Sequence, residues 1–252
     1  MRRLMILLLL FVLPVMACSL IGQTSAPTLE VPTQSQLQTL TETLTPMATD
    51  VPANGQALEG PDINFNGVRF TLDPALGSRI YVFDDVTSLD GKTAYNIRFA
   101  LNPEEYCQTW CLMIYHVADF EQAFGTFVFP PNGYRGGAAV VFETQKKTLS
   151  MQNGSGDRSL ETFGQNNYAV SNNALKYVFR GYSSDKQYGI YVQIPVRTSS
   201  LPGVAPTMSA NSQEILDYNQ KTAESLSVLS PADFTPNLNV LDALVASIHV
   251  GP

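Results

Sequence analysis

Every aromatic residue of this chain except Phe11 lies at or beyond Phe65, so a packed core can form only downstream of that point. From Ser19 to Gly60, 20 of 42 residues are Ser, Thr, Pro or Gln, four are acidic, and none is aromatic or basic. Such a stretch buries too little apolar surface to offset the entropy of ordering it. Its composition predicts a flexible tether over residues 18–60 with an r.m.s. span of ~35 Å. The Thr-rich part from Thr39 to Thr49 reads as solvated spacer, with glycosylation or partner docking as alternatives. One folded domain is expected over residues 61–252. The formal charge is -7, falling to -9 without Arg2 and Arg3. An acidic domain without a basic stripe is a poor holder of phosphate backbones, so no nucleic-acid partner is expected.

The N-terminus has the grammar of an export signal: Arg2 and Arg3, an apolar run from Leu4 to Leu13, then Pro14 and small or apolar residues up to Cys18. Val15, Met16, Ala17 and Cys18 resemble the lipobox of bacterial lipoproteins, with Met16 in place of the more usual Ala or Ser. The resemblance covers only this terminus. It implies removal of a signal peptide (residues 1–17) and lipidation of Cys18, which would fix the chain to the extracytoplasmic face of a bacterial membrane. An uncleaved membrane helix from Leu4 to Ile21 is the alternative.

Within the domain, alternation predicts strands around Val68–Leu72 and Tyr95–Leu101. Shorter apolar runs, Ile80–Phe83 and Ala138–Phe142, suit strands covered on both faces. Leu175–Phe179 and Tyr188–Val196 form the surest hairpin, with Gly181–Lys186 as its connection. Asn153-Gly154 supplies positive φ angles for a second hairpin turn. A short helix is expected from Ala118 to Phe124, stopped by Gly125. Two helices follow near the C-terminus, one capped by Asn211 with Glu214, the other by Thr235 with Pro236 at its first turn. These elements predict an α+β domain, an antiparallel sheet built from hairpins with a few packed helices. The element order resembles the PsbP/Mog1-like layout, a resemblance that carries no functional residue.

Cys107 and Cys111 would stand ~13 Å apart on an extended strand, beyond the ~7 Å a disulfide tolerates, so they need a turn or helix to bond. In an exported protein a local disulfide is the expected outcome. Cys107, Cys111 and His116 also resemble the dinuclear copper loop of cytochrome oxidase subunit II. Four residues separate Cys111 from His116 instead of three, and the family's methionine is missing, so no metal and no cofactor are expected. The adjacent pairs Asp84/Asp85 and Glu104/Glu105 put carboxylates on opposite strand faces and read as solvated loop ends.

No Gly-x-Ser-x-Gly elbow, His-Glu-x-x-His helix, P-loop or dinucleotide fingerprint occurs. No catalytic residue is assigned. The expected role is a non-enzymatic binding or assembly module held at a membrane, meeting a protein or polysaccharide. The alternative is an extracytoplasmic hydrolase that attacks wall or surface polysaccharide through a carboxylate pair converging in a cleft. Partner contacts are expected on the loops Pro130–Gly137 and Gly181–Lys186, through Tyr134, Arg135 and Tyr182.

Overall fold

The computed structural model describes residues 55–89, 92–103, 110–129 and 138–251. The chain opens with β1 (Gln56–Glu59), β2 (Asp62–Phe65), β3 (Val68–Thr71), β4 (Arg79–Leu89), β5 (Lys92–Ala100) and β6 (Cys111–His116). After α1 (Val117–Phe124) come β7 (Ala139–Met151), β8 (Gly154–Gly164), β9 (Lys176–Ser183) and β10 (Tyr188–Pro195). The C-terminal part holds β11 (Arg197–Thr198), α2 (Gln213–Ser227), β12 (Phe234–Thr235), α3 (Leu238–Ser247) and β13 (His249–Val250).

The fold is α+β, and the sheet dominates it more than a set of hairpins with packed helices implies. Eight antiparallel strands run in the order β1-β4-β5-β6-β10-β9-β8-β7. Two meanders, β4-β5-β6 and β7-β8-β9-β10, join where β6 pairs with β10 from Cys111↔Gln193 to His116↔Tyr188. A smaller sheet has the order β13-β3-β2. Gln56–Glu59, which composition assigns to the tether, pairs with β4 as an edge strand.

Alternation splits β6 between two cores. Leu112 and Ile114 join Phe99, Leu160, Tyr177, Phe179, Ile190 and Val192 on one face, packed with Leu226 of α2, Leu241 and Leu244 of α3, and Phe70 of the small sheet. Cys111, Met113 and Tyr115 point to the other face, toward Phe120 of α1 and Phe127. Both central strands are therefore buried on both sides.

Local chemistry sets the element ends. The Gly125 N–H donates to the Glu121 carbonyl at 2.7 Å with φ of 89°, the left-handed stop expected of α1. The cap of α2 is Ser212, whose hydroxyl accepts from Ile215 N–H at 3.3 Å, rather than Asn211. Asn211 has a left-handed φ of 59° and its side chain instead accepts from Asn167 N–H. The cap of α3 is Asn237, whose side chain accepts from Asn239 N–H at 2.9 Å, because Thr235 is committed to pairing with Arg197. The β9–β10 connection is shorter than Gly181–Lys186, since Gly181, Tyr182 and Ser183 belong to β9.

The turn between β7 and β8 exists, but its centre is Gln152-Asn153, with Met151 paired to Gly154. Neither Asn153 nor Gly154 has a positive φ. The glycines of β8 serve close approach instead: a Cβ on Gly156 would stand 2.2 Å from the Arg180 carbonyl oxygen. An Asn-Gly turn of the positive-φ kind does occur at Asn66-Gly67, with φ of 47° and 78°, between β2 and β3.

Candidate functional site

The strand registers place one row of side chains across the first sheet face. Asp84 of β4 is opposite Ile97 of β5, Ile97 is opposite Ile114 of β6, and His116 is opposite Tyr188 of β10. Because β-strand side chains alternate, these residues and Tyr95, two positions before Ile97, share that face. α1 follows β6 directly and brings Asp119 to the same place. Together they line a cleft of about 300 Å³.

Its chemistry is mixed. Ile97 and Ile114 give apolar surface, while Tyr95 is 70% exposed, an unusual state for a large aromatic on a strand. The rings of His116 and Tyr188 meet edge to face at 5.5 Å. His116 Nδ1 lies 3.1 Å from Asp119 Oδ2, with 39% and 54% of the two side chains exposed. Asp84 is exposed in mid-strand, not at a loop end as expected, and makes no ion pair among the described residues. Two carboxylates and an imidazole thus share one cleft, open to water. Neither carboxylate has the apolar enclosure in which a glycosidase acid works.

The opposite face at the same end of the sheet carries an aromatic cluster. Phe127 contacts Phe120 at 5.2 Å, Tyr115 at 5.7 Å and Phe129 at 4.8 Å between ring centroids. Gly189 makes room for it, since a Cβ there would stand 2.4 Å from the Phe127 ring. Tyr182 closes the cluster, 5.1 Å from Phe129 and 5.8 Å from Phe127. Lys186 Nζ lies 5.0 Å from the centre of the Tyr182 ring. Partial burial, with Glu121 nearby, pushes the Tyr182 hydroxyl above the ordinary tyrosine range. Tyr182 therefore packs its ring and keeps part of its edge exposed.

The other residues singled out from the sequence are placed unevenly. Tyr134 and Arg135 lie outside the described residues, as do Cys18, Glu104 and Glu105. Cys111 is fully buried at the start of β6. Its expected partner Cys107 also lies outside the described residues. Asn153 is a clamp: its amide donates to the Val250 carbonyl at 2.6 Å and accepts from Val250 N–H at 3.1 Å, fixing β13 against the β7–β8 turn.

Two buried ionic clusters escaped sequence reading. Asp242 of α3 accepts from Arg158, Lys147 and the Tyr177 hydroxyl, which ties the helix to the sheet. On the other face Glu161, 1% exposed, receives both Arg180 terminal nitrogens at 2.6 and 2.8 Å and a bond from the Ser159 hydroxyl. Both sets pair their charges internally, which marks them as structural, although Arg180 Nε is buried without a hydrogen-bond partner among the described residues. Among the described residues, no group of three His, Cys, Asp or Glu side chains could hold a metal ion. Compared with protein-family models, curated proteins and solved structures, the chain gives no significant match.

Proposed function

We propose that the chain is a lipid-anchored extracytoplasmic bacterial lipoprotein whose domain is a non-enzymatic binding or assembly module. The cleft carries this reading: it is water-open, edged by the exposed Tyr95, and its carboxylates lack enclosure. The sequence of Val15 to Cys18 and the tether behind it support the anchoring. A palmitate analogue should label the wild type in cells and fail to label Cys18→Ser. Label retained by that variant removes the anchor from the proposal.

The partner contacts are proposed at Tyr134, Arg135 and the exposed edge of Tyr182. Phe129, the last described residue before Pro130, rests on the Tyr182 ring. Exchanging Tyr134 and Arg135 for Ser, with Tyr182 intact, separates contact from packing. Loss of a cross-linked membrane partner at unchanged melting temperature is the expected result.

A carboxylate-dependent polysaccharide hydrolase is the second reading, favoured by Asp84, Asp119 and His116 sharing one cleft. Sugar release from isolated wall material that stops in Asp84→Asn and Asp119→Asn would establish it over the binding module.

A further inference from the structure

We infer that the cleft bounded by Asp84, Asp119, Tyr95 and Tyr188 binds an organic ammonium group, a conclusion that rests on the binding-module reading. The walls supply two carboxylates from different elements, β4 and α1, with the His116 imidazole beside Asp119, and among the described residues no lysine or arginine lines the cleft. Elsewhere, among the described residues, ion pairs join Arg79 with Glu59, Lys146 with Glu143, Lys147 and Arg158 with Asp242, and Arg180 with Glu161. The site thus offers negative charge that the described part of the fold leaves without a lysine or arginine counterion.

The aromatic and apolar parts of the lining say what kind of cation fits. A metal ion wants converging oxygen ligands and gains nothing from isoleucine. An alkylated ammonium places its carbons on Ile97 and Ile114, while Tyr95 and Tyr188, which also line the cleft, supply aromatic rings whose faces attract a cation. Tyr95 is already 70% exposed, so a ligand gains its ring without disturbing the core. A volume of about 300 Å³ is at the small end of ligand sites and matches one headgroup rather than a polymer segment.

Choline and its neutral isostere, in which carbon replaces the quaternary nitrogen, give the test. Full-length protein in nonionic detergent is titrated with each and followed by NMR or calorimetry. Choline should saturate with a Kd of roughly 1 mM, and the isostere should bind at least about tenfold more weakly. Asp84→Asn and Tyr95→Leu should each weaken choline several-fold at unchanged melting temperature.

Equal binding of the two probes, or no saturation by ~50 mM choline, overturns the assignment. So does saturation by a methyl glycoside in its place. The comparison of probes on the wild type needs no variant to fold. Sugar release by the same preparation defeats the binding-module reading whether or not choline binds. Absence of both activities defeats only the ammonium assignment.

Discussion

Replacing Asp242 with alanine should be among the most damaging single changes in the domain. Its side chain is 11% exposed and faces Arg158, which is 4% exposed. Arg158 donates from Nε to Oδ1 at 3.2 Å and from Nη2 to Oδ2 at 3.4 Å, and the Tyr177 hydroxyl donates to Oδ1 at 3.0 Å. Without the carboxylate, the guanidinium stays buried with the Gln145 carbonyl as its remaining acceptor, and the Tyr177 hydroxyl loses its own.

Breaking one side of a buried pair costs about 3–5 kcal/mol, and an orphaned buried hydroxyl adds about 1–3 kcal/mol. Lys147 is 54% exposed, so water can reach the site along its side chain and relieve part of that sum. The expected loss is about 4 kcal/mol, or roughly 8–16 °C in melting temperature for a domain of this size. Urea denaturation of Asp242→Ala measures it. Lys147→Ala, at the wet side of the same carboxylate, should cost under about 1 kcal/mol. The double exchange Asp242→Leu with Arg158→Met should recover much of the loss, because a buried pair replaced by apolar groups removes its desolvation cost. An Asp242→Ala loss below about 1 kcal/mol would refute the claim that this carboxylate is what makes Arg158 tolerable in the core.

Two further outcomes follow from the packing. Tyr182→Ala should lower stability by about 2–3 kcal/mol in the same assay, since its ring packs on Phe127 and Phe129; Tyr182→Phe should cost far less. Burial, helped by the Asp242 carboxylate, holds the Tyr177 phenol far above the ordinary tyrosine range. The folded state therefore keeps that proton where the unfolded chain releases it, near pH ~10, so this contribution to stability is full below that pH and is lost as pH rises above it. Tyr177→Phe should flatten the alkaline fall of the melting temperature, and an unchanged slope would show that Tyr177 ionisation does not drive it.

The strands are legible where burial is one-sided or complete. Alternation at Tyr95–Leu101 and at Tyr188–Val196 locates β5 and β10 but not their buried faces, since Asn96 and Arg98 are buried while Tyr95 is exposed and β10 is covered on both sides; short-range stereochemistry fixes Gly125 as the stop of α1. Helix caps are less legible, because Ser212 and Asn211 both carry the right side-chain chemistry. Only the tertiary bond from Asn167 to Asn211 decides which of them is free to cap. The Asn153-Gly154 pair marks the β7–β8 turn to within a residue, yet the glycines there answer to the neighbouring strand and not to a positive φ.

By itself the sequence determined the α+β class and the late helices, which depend on neighbours in the chain, whereas the tether that composition draws through Gly60 overlaps β1, which pairs with β4. The cleft was decided by the tertiary structure alone. Asp84, Tyr95, His116, Asp119 and Tyr188 come from four strands and a helix, and what gathers them is strand order and register. The same holds for Asp242 with Arg158, 84 positions apart. Register across a sheet is set by the summed burial of whole strands, a property that no local spacing encodes.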